Sequence, residues 1–163
     1  MKEWQKDKRW SDRFLPEIKR NLGEYLIGEP PVEEDQERNT DLIVLRMEAI
    51  RIGCRVRKYG YLERYGEEFT IRAGRPSGIK TELTKIIEGW GNYFFYGFSD
   101  EKELCLAKWF LCDLNVFRWW FNRRLIIDKG NVPGISKNNT DNSSFFLAFK
   151  ISEFPENFII AHT

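Results

Sequence analysis

From Ile50 to Arg57 the chain reads IRIGCRVR, in which apolar residues alternate with Arg51, Gly53, Arg55 and Arg57. A side-chain period of two predicts an extended strand with one face in the core. Three arginines on the other face constrain the fold further, because cations crowded on one sheet face repel one another unless anions answer them. EFTIRAG alternates too, with Phe69, Ile71 and Ala73 on one side and Glu68, Thr70 and Arg72 on the other. Arg75 and Lys80 follow. Glu48, Glu63, Glu67 and Glu68 are the carboxylates at hand to neutralise this cluster. The other answer is a nucleic acid or another phosphate-rich ligand, since the planar guanidinium fork matches phosphate oxygens.

With 163 residues, 15% of them aromatic, the chain has the bulk for a substantial core. It reads as one domain over residues 1–163, with core elements from about 11 to 121 and a loop and edge strands over 122–163. Charged residues make up 31% but cancel to a formal net charge of +1, so attraction to a polyanion must come from local clusters. No apolar run approaches the roughly 18 residues that mark a membrane span, and MKEWQKDKRW lacks a signal-peptide core. The expectation is a soluble, cytoplasmic protein with no membrane partner. Cys54, Cys105 and Cys112 are too few for a disulfide framework and read as buried thiols in a reducing compartment. The single histidine, His162, removes His/Cys zinc sites, Ser-His-Asp triads and Cys-His dyads. Catalysis would therefore rest on carboxylates, basic side chains and a hard metal ion.

The remaining patterning predicts a first helix from Ser11, its N-cap, to about Gly28, with Phe14, Ile18, Leu22 and Leu26 on one face. TDLIVLRME, IRIGCRVRKY and EFTIRAG then read as three antiparallel strands. A helix follows from about Lys80 to Trp90, with Leu83, Ile86, Ile87 and Trp90 apolar and Glu82 and Glu88 as surface charges. NYFFYGF reads as a strand, EKELCLAKWFL as a helix and LNVFRWWF as a strand, and the stretch from Asp128 to Ser144 as a long loop. The fold class is α/β, in the order helix, three antiparallel strands, helix, strand, helix, strand, with a mixed central sheet flanked by helices. Most aromatics belong to the core, with Tyr59, Tyr61 and Tyr65 as the better exposed candidates for stacking on bases.

AGRPSGIKTELTKI, residues 73–86, lies between a strand and a helix and carries Gly74, Gly78, Lys80 and Thr81. A phosphate-binding loop of the G-x-x-x-x-G-K-[ST] kind needs the Lys directly after the Gly, and here Ile79 intervenes. Nucleotide binding by the 74–81 loop is one reading; a turn whose Ser77 or Thr81 caps the helix is the other.

This order of elements, from Phe14 to Phe121, resembles the core of the PD-(D/E)xK nuclease superfamily. In that family an acid on the first helix, an Asp on a strand and an E-x-K pair on the next strand hold Mg2+ and a water at the scissile phosphate. The metal binds to clustered carboxylates and lowers the pKa of the water. The resemblance implies Glu17 and Asp41 as the acids, with Asp41 as metal ligand and Mg2+ as the cofactor of any catalysis. The E-x-K pair aligns either on Cys54 and Val56 or on Thr70 and Arg72, and neither pair is intact. The implied function is a nucleic-acid-binding protein of nuclease-like fold, with phosphodiester hydrolysis around Glu17, Asp41, Thr70 and Arg72. Nucleic acid would lie along Arg51, Arg55, Arg57, Arg75 and Lys80. A catalytically inactive relative that binds nucleic acid or protein is the alternative, and a nucleotide-binding protein the second.

Overall fold

Strand β3 (Ile52–Arg57) forms where the alternation predicts it, and it pairs in parallel with β5 (Tyr93–Ser99), Ile52 opposite Tyr93 through Arg57 opposite Phe98. The computed structural model describes residues 3–28, 43–44, 50–139 and 144–163. Two helices, α1 (Glu3–Asp12) and α2 (Leu15–Leu26), precede a two-stranded antiparallel ladder of β1 (Ile27–Gly28) and β2 (Ile43–Val44). After β3 come the short helix α3 (Tyr61–Tyr65), β4 (Glu68–Gly74) and α4 (Glu82–Ile87). Beyond β5 lie β6 (Leu106–Asp113), α5 (Leu114–Ile127), β7 (Ile135–Asn138), β8 (Phe145–Lys150), two 3-10 turns and β9 (Ile159–His162).

The chain is mixed α/β, and its mixed sheet has the order β3-β5-β6-β9, with only β3 and β5 parallel. A second, antiparallel sheet has the order β4-β8-β7. The expected antiparallel neighbours β3 and β4 therefore lie in different sheets. The last two core elements are also exchanged relative to expectation: residues 106–113 are strand and 114–127 helix. A fully buried strand loses its period of two because both faces are apolar, and Trp109, Phe110, Leu111 and Cys112 are all buried. Asp113 ends that strand and caps the helix, its Oδ1 accepting from the amides of Asn115 at 2.7 Å and Val116 at 3.3 Å. The expected first helix is broken at Arg13–Phe14, so Ser11 lies inside α1 and not at a cap.

Two apolar clusters sandwich the mixed sheet. Phe14, Ile18 and Leu22 pack on one face against Val56, Phe95, Trp109 and Leu111. On the other face Phe94, Tyr96, Phe98 and Phe110 meet Phe69 and Ile71 of β4, Leu147 and Phe149 of β8, and Leu114, Phe117 and Phe121 of α5. Phe69 is fully buried at the centre, its ring centroid 5.3 to 6.3 Å from those of Phe94, Tyr96, Phe117, Phe154 and Phe158. Phe69→Ala removes a ring on which five others lean, and we expect a loss of about 3–5 kcal/mol. It is read as a lower denaturant midpoint at unchanged slope; a shift below about 1 kcal/mol would place the centre of packing elsewhere.

Candidate functional site

Because β3 alternates, Ile52 and Val56 point at α2, and Arg55 and Arg57 point into the seam where β3 and β4 approach from their separate sheets. Arg55 Nη1 donates to the edge carbonyl of Thr70 at 2.7 Å, and its Nη2 pairs with Glu82 Oε2. The same Oε2 accepts the backbone amide of Arg72 at 3.1 Å. Arg57 makes a different set of bonds: Nε donates to Tyr96 Oη at 2.8 Å and Nη2 to Thr70 Oγ1, while those two oxygens lie 2.8 Å apart and share one hydroxyl proton. Its guanidinium stands 5.6 to 5.9 Å from the ring centroids of Tyr61, Tyr96 and Phe146. Hydroxyls and aromatic rings hold this cation, and among the described residues none of its bonding partners is a carboxylate.

Arg72 is half-buried on β4. Burial first, then repulsion from Arg75 and Arg55, pushes its guanidinium below the usual arginine value, with Glu82 opposing the shift. The group stays charged throughout the working pH range. A cation whose folded-state pKa is depressed costs the fold stability wherever it carries its charge, and that cost is relieved only above the folded pKa or when an anion arrives.

Arg55, Arg57, Arg72 and Glu82 line a cleft of about 620 Å3, to which α1 and Lys58 also contribute. Lys8 pairs with Asp12 at 2.8 Å, and Lys58 stands 4.0 Å from Asp7. Five cations and three carboxylates line the space. With Arg55 matched to Glu82, the surplus is Arg57 and Arg72.

The candidate residues separate. Glu17 does not join Thr70 and Arg72: α2 buries its apolar stripe on the outer face of the mixed sheet, and Glu17 Oε2 accepts the Leu106 amide at 3.0 Å. Asp41 and Glu48 lie outside the described residues. Thr70 is only 3% exposed, sealed by Arg57 and Tyr96. Arg55 and Arg57 line the cleft. Arg51 is exposed just before β3, where its backbone is fixed by Asn92. Arg75 is exposed in the turn after β4, and Lys80 is bound to Glu88 at 2.6 Å.

The expected acidic answers are also redistributed. Glu68 pairs with Lys137 of β7 at 2.7 Å, and Glu63 and Glu67 are exposed. Glu82, expected to be a surface charge, is the carboxylate at the cluster. The loop explains its position: Thr81 Oγ1 donates to Ala73 O at 3.1 Å and closes the excursion from 74 to 80, returning residue 82 to the side of residue 72. Thr81 does occupy the N-cap position of α4, but its hydroxyl spends itself on Ala73 and Thr84 and caps no helix amide. In this segment α4 has six residues and Lys80 Nζ donates to Glu88 at 2.6 Å.

Among the described residues no three of His, Cys, Asp and Glu cluster in a way that would hold a metal ion. No described helix is long and apolar enough to cross a membrane. Of the cysteines expected to be buried, only Cys112 is, and burial raises its thiol pKa well above the usual value; Cys54 and Cys105 are exposed. Compared with known proteins, the chain matches no family model, no curated protein and no solved structure.

Thr70→Val leaves Arg57 and Tyr96 each one partner short at a buried site, and we expect a cost of about 1–3 kcal/mol in denaturant unfolding. Arg72→Met keeps the stem and removes the repelled charge, and we expect it to raise the unfolding midpoint. A fall would mean that the Arg72 guanidinium serves the fold itself.

Proposed function

We propose that the protein binds the phosphate backbone of a nucleic acid along the cleft bounded by β3, α1 and Arg72 of β4. The observation that carries this reading is the pair of guanidinium groups, Arg57 and Arg72, that line one cleft with no carboxylate among the described residues bound to either. Arg57 is held in place by its hydroxyl and aromatic partners through Nε and Nη2, so the Nη1 donors left to a ligand are oriented before it arrives and little freedom is lost on binding. Arg72 is destabilised by its surroundings, and a phosphate oxygen relieves both its burial and its repulsion from Arg55 and Arg75. Lys58 lines the same cleft and Arg75 the space beside it.

Binding without cleavage is the form of this reading that the described residues support. Hydrolysis of the nuclease type needs carboxylates gathered around Mg2+ beside the bound phosphate. Glu82 is engaged by Arg55, Asp7 and Asp12 face lysines, and Glu17 lies on the other side of the sheet. We therefore assign Thr70 and Arg72 to structure and binding, and regard kinship to the PD-(D/E)xK superfamily as a proposal for a non-cleaving relative.

The test is fluorescence anisotropy with a labelled oligonucleotide at stepped salt concentrations. The logarithm of affinity should fall linearly with the logarithm of salt. Arg72→Gln combined with Arg75→Gln should weaken binding and reduce the slope by about 1 for each phosphate the variant no longer neutralises. No binding at low salt, or binding indifferent to these substitutions, would refute the proposal. Strand scission with Mg2+ that Asp41→Ala abolishes would replace it with the nuclease reading.

A further inference from the structure

Beside the arginine cleft lies a second groove of about 400 Å3, and Arg72 and Glu82 line both, so the two spaces adjoin. Its distinguishing residue is Trp90, which is 62% exposed. The period of the α4 sequence predicts Trp90 on the apolar face of the helix, yet the chain has left the helix before reaching it. Gly89, at φ 96°, donates its amide to Ile86 O, and Trp90 donates to Lys85 O at 3.0 Å, the paired bonds of a Schellman helix end. Gly91, at φ 82°, turns the chain again into β5. Fixed backbone on both sides thus sets the point from which the Trp90 side chain projects.

The rest of the groove suits a flat, partly apolar group bearing phosphate. Phe94 forms part of the lining, and it lies flush with β3 only because residue 53 is glycine: a Cβ there would come within 2.8 Å of the Phe94 ring. Ile79, 61% exposed, adds a second apolar side chain, while Arg75 and Lys85 supply charge. An exposed indole beside guanidinium groups matches an unpaired base and its adjoining phosphates, since stacking on an aromatic side chain contributes substantially to single-strand binding. Bases inside a duplex are paired and stacked on one another, with only their edges open to a protein.

Resting on the proposed phosphate-backbone binding, we infer that Trp90 stacks on an unpaired nucleobase and that the protein's ligand is single-stranded nucleic acid. Arg72 stands at the junction and takes the phosphate that enters the arginine cleft. The base occupies the Trp90 groove and the backbone runs on along the arginine cleft, past Arg57 and towards α1.

Three labelled probes of equal length test this by anisotropy: a single strand, its duplex, and an abasic strand with the same number of phosphates. The single strand should bind more tightly than the abasic one, by about 5- to 150-fold for one stacked base, and more tightly than the duplex. Trp90→Ala should reduce the single strand to the abasic level and leave abasic binding unchanged, while Trp90→Phe restores part of the difference. The indole is exposed, so the variant is expected to keep its fold. Equal affinity for base-bearing and abasic strands, or indifference to Trp90→Ala, overturns the inference while leaving a salt-dependent phosphate site in place. Failure of all three probes to bind at low salt overturns both.

Discussion

Arg57 ties together three strands from two sheets. Its guanidinium comes from β3, its hydroxyl partners Tyr96 and Thr70 from β5 and β4, and the two hydroxyls bond each other. Oxygens buried in an aromatic core would be costly without partners, and the fork supplies partners to both at once. The bond geometry places the neighbouring strand edges at a fixed separation, leaving the seam in which Arg55, Arg72 and Glu82 meet. The polar seam is thus a condition of the fold as well as the origin of its surplus charge.

The fold is legible in the sequence wherever one face of an element meets water. β3 and the start of β4 alternate because their polar faces line the seam, and α2 shows its stripe because only that stripe is buried. The signal fails where both faces are covered. Residues 106–113 are apolar on consecutive positions, and α5 is apolar nearly all round, with Trp119, Ile126 and Ile127 exposed alongside the buried Leu114, Phe117 and Phe121. Neither pattern has a clear period, and the two were exchangeable by hydrophobicity alone. Asp113 followed by Leu114, with Phe117 and Phe121 spaced three and four residues on, was the available mark of a capped helix.

The site was legible as a set of cations and not as an arrangement. Arginines on one strand face say that anions are near, without saying which. Glu82 is ten residues from Arg72 and meets it only because Thr81 closes the intervening loop on Ala73. Thr70 reads as a polar-face residue, yet the opposing sheet covers it. Trp90 reads as core by helical spacing, but Gly89 ends the helix before it and Gly91 turns the chain after it. In each case the deciding factor was a loop closure or a meeting of two sheets, which periodicity along one segment does not encode.

β6 passes into α5 with no intervening residue, since Asp113 is both the last residue of the strand and the cap of the helix. Leu114 donates its amide to Asn92 O at 2.9 Å, and Asn92 in turn donates to Arg51 O at 2.8 Å, at the entrance to β3. The junction therefore has no slack. The rotational phase of α5 is dictated by the register of the sheet, and one added residue would turn the helix by about 100° and carry Phe117 and Phe121 out of the core. Length variation in homologous chains should thus be excluded from this joint and tolerated in the glycine-bearing turn that begins after Ile127.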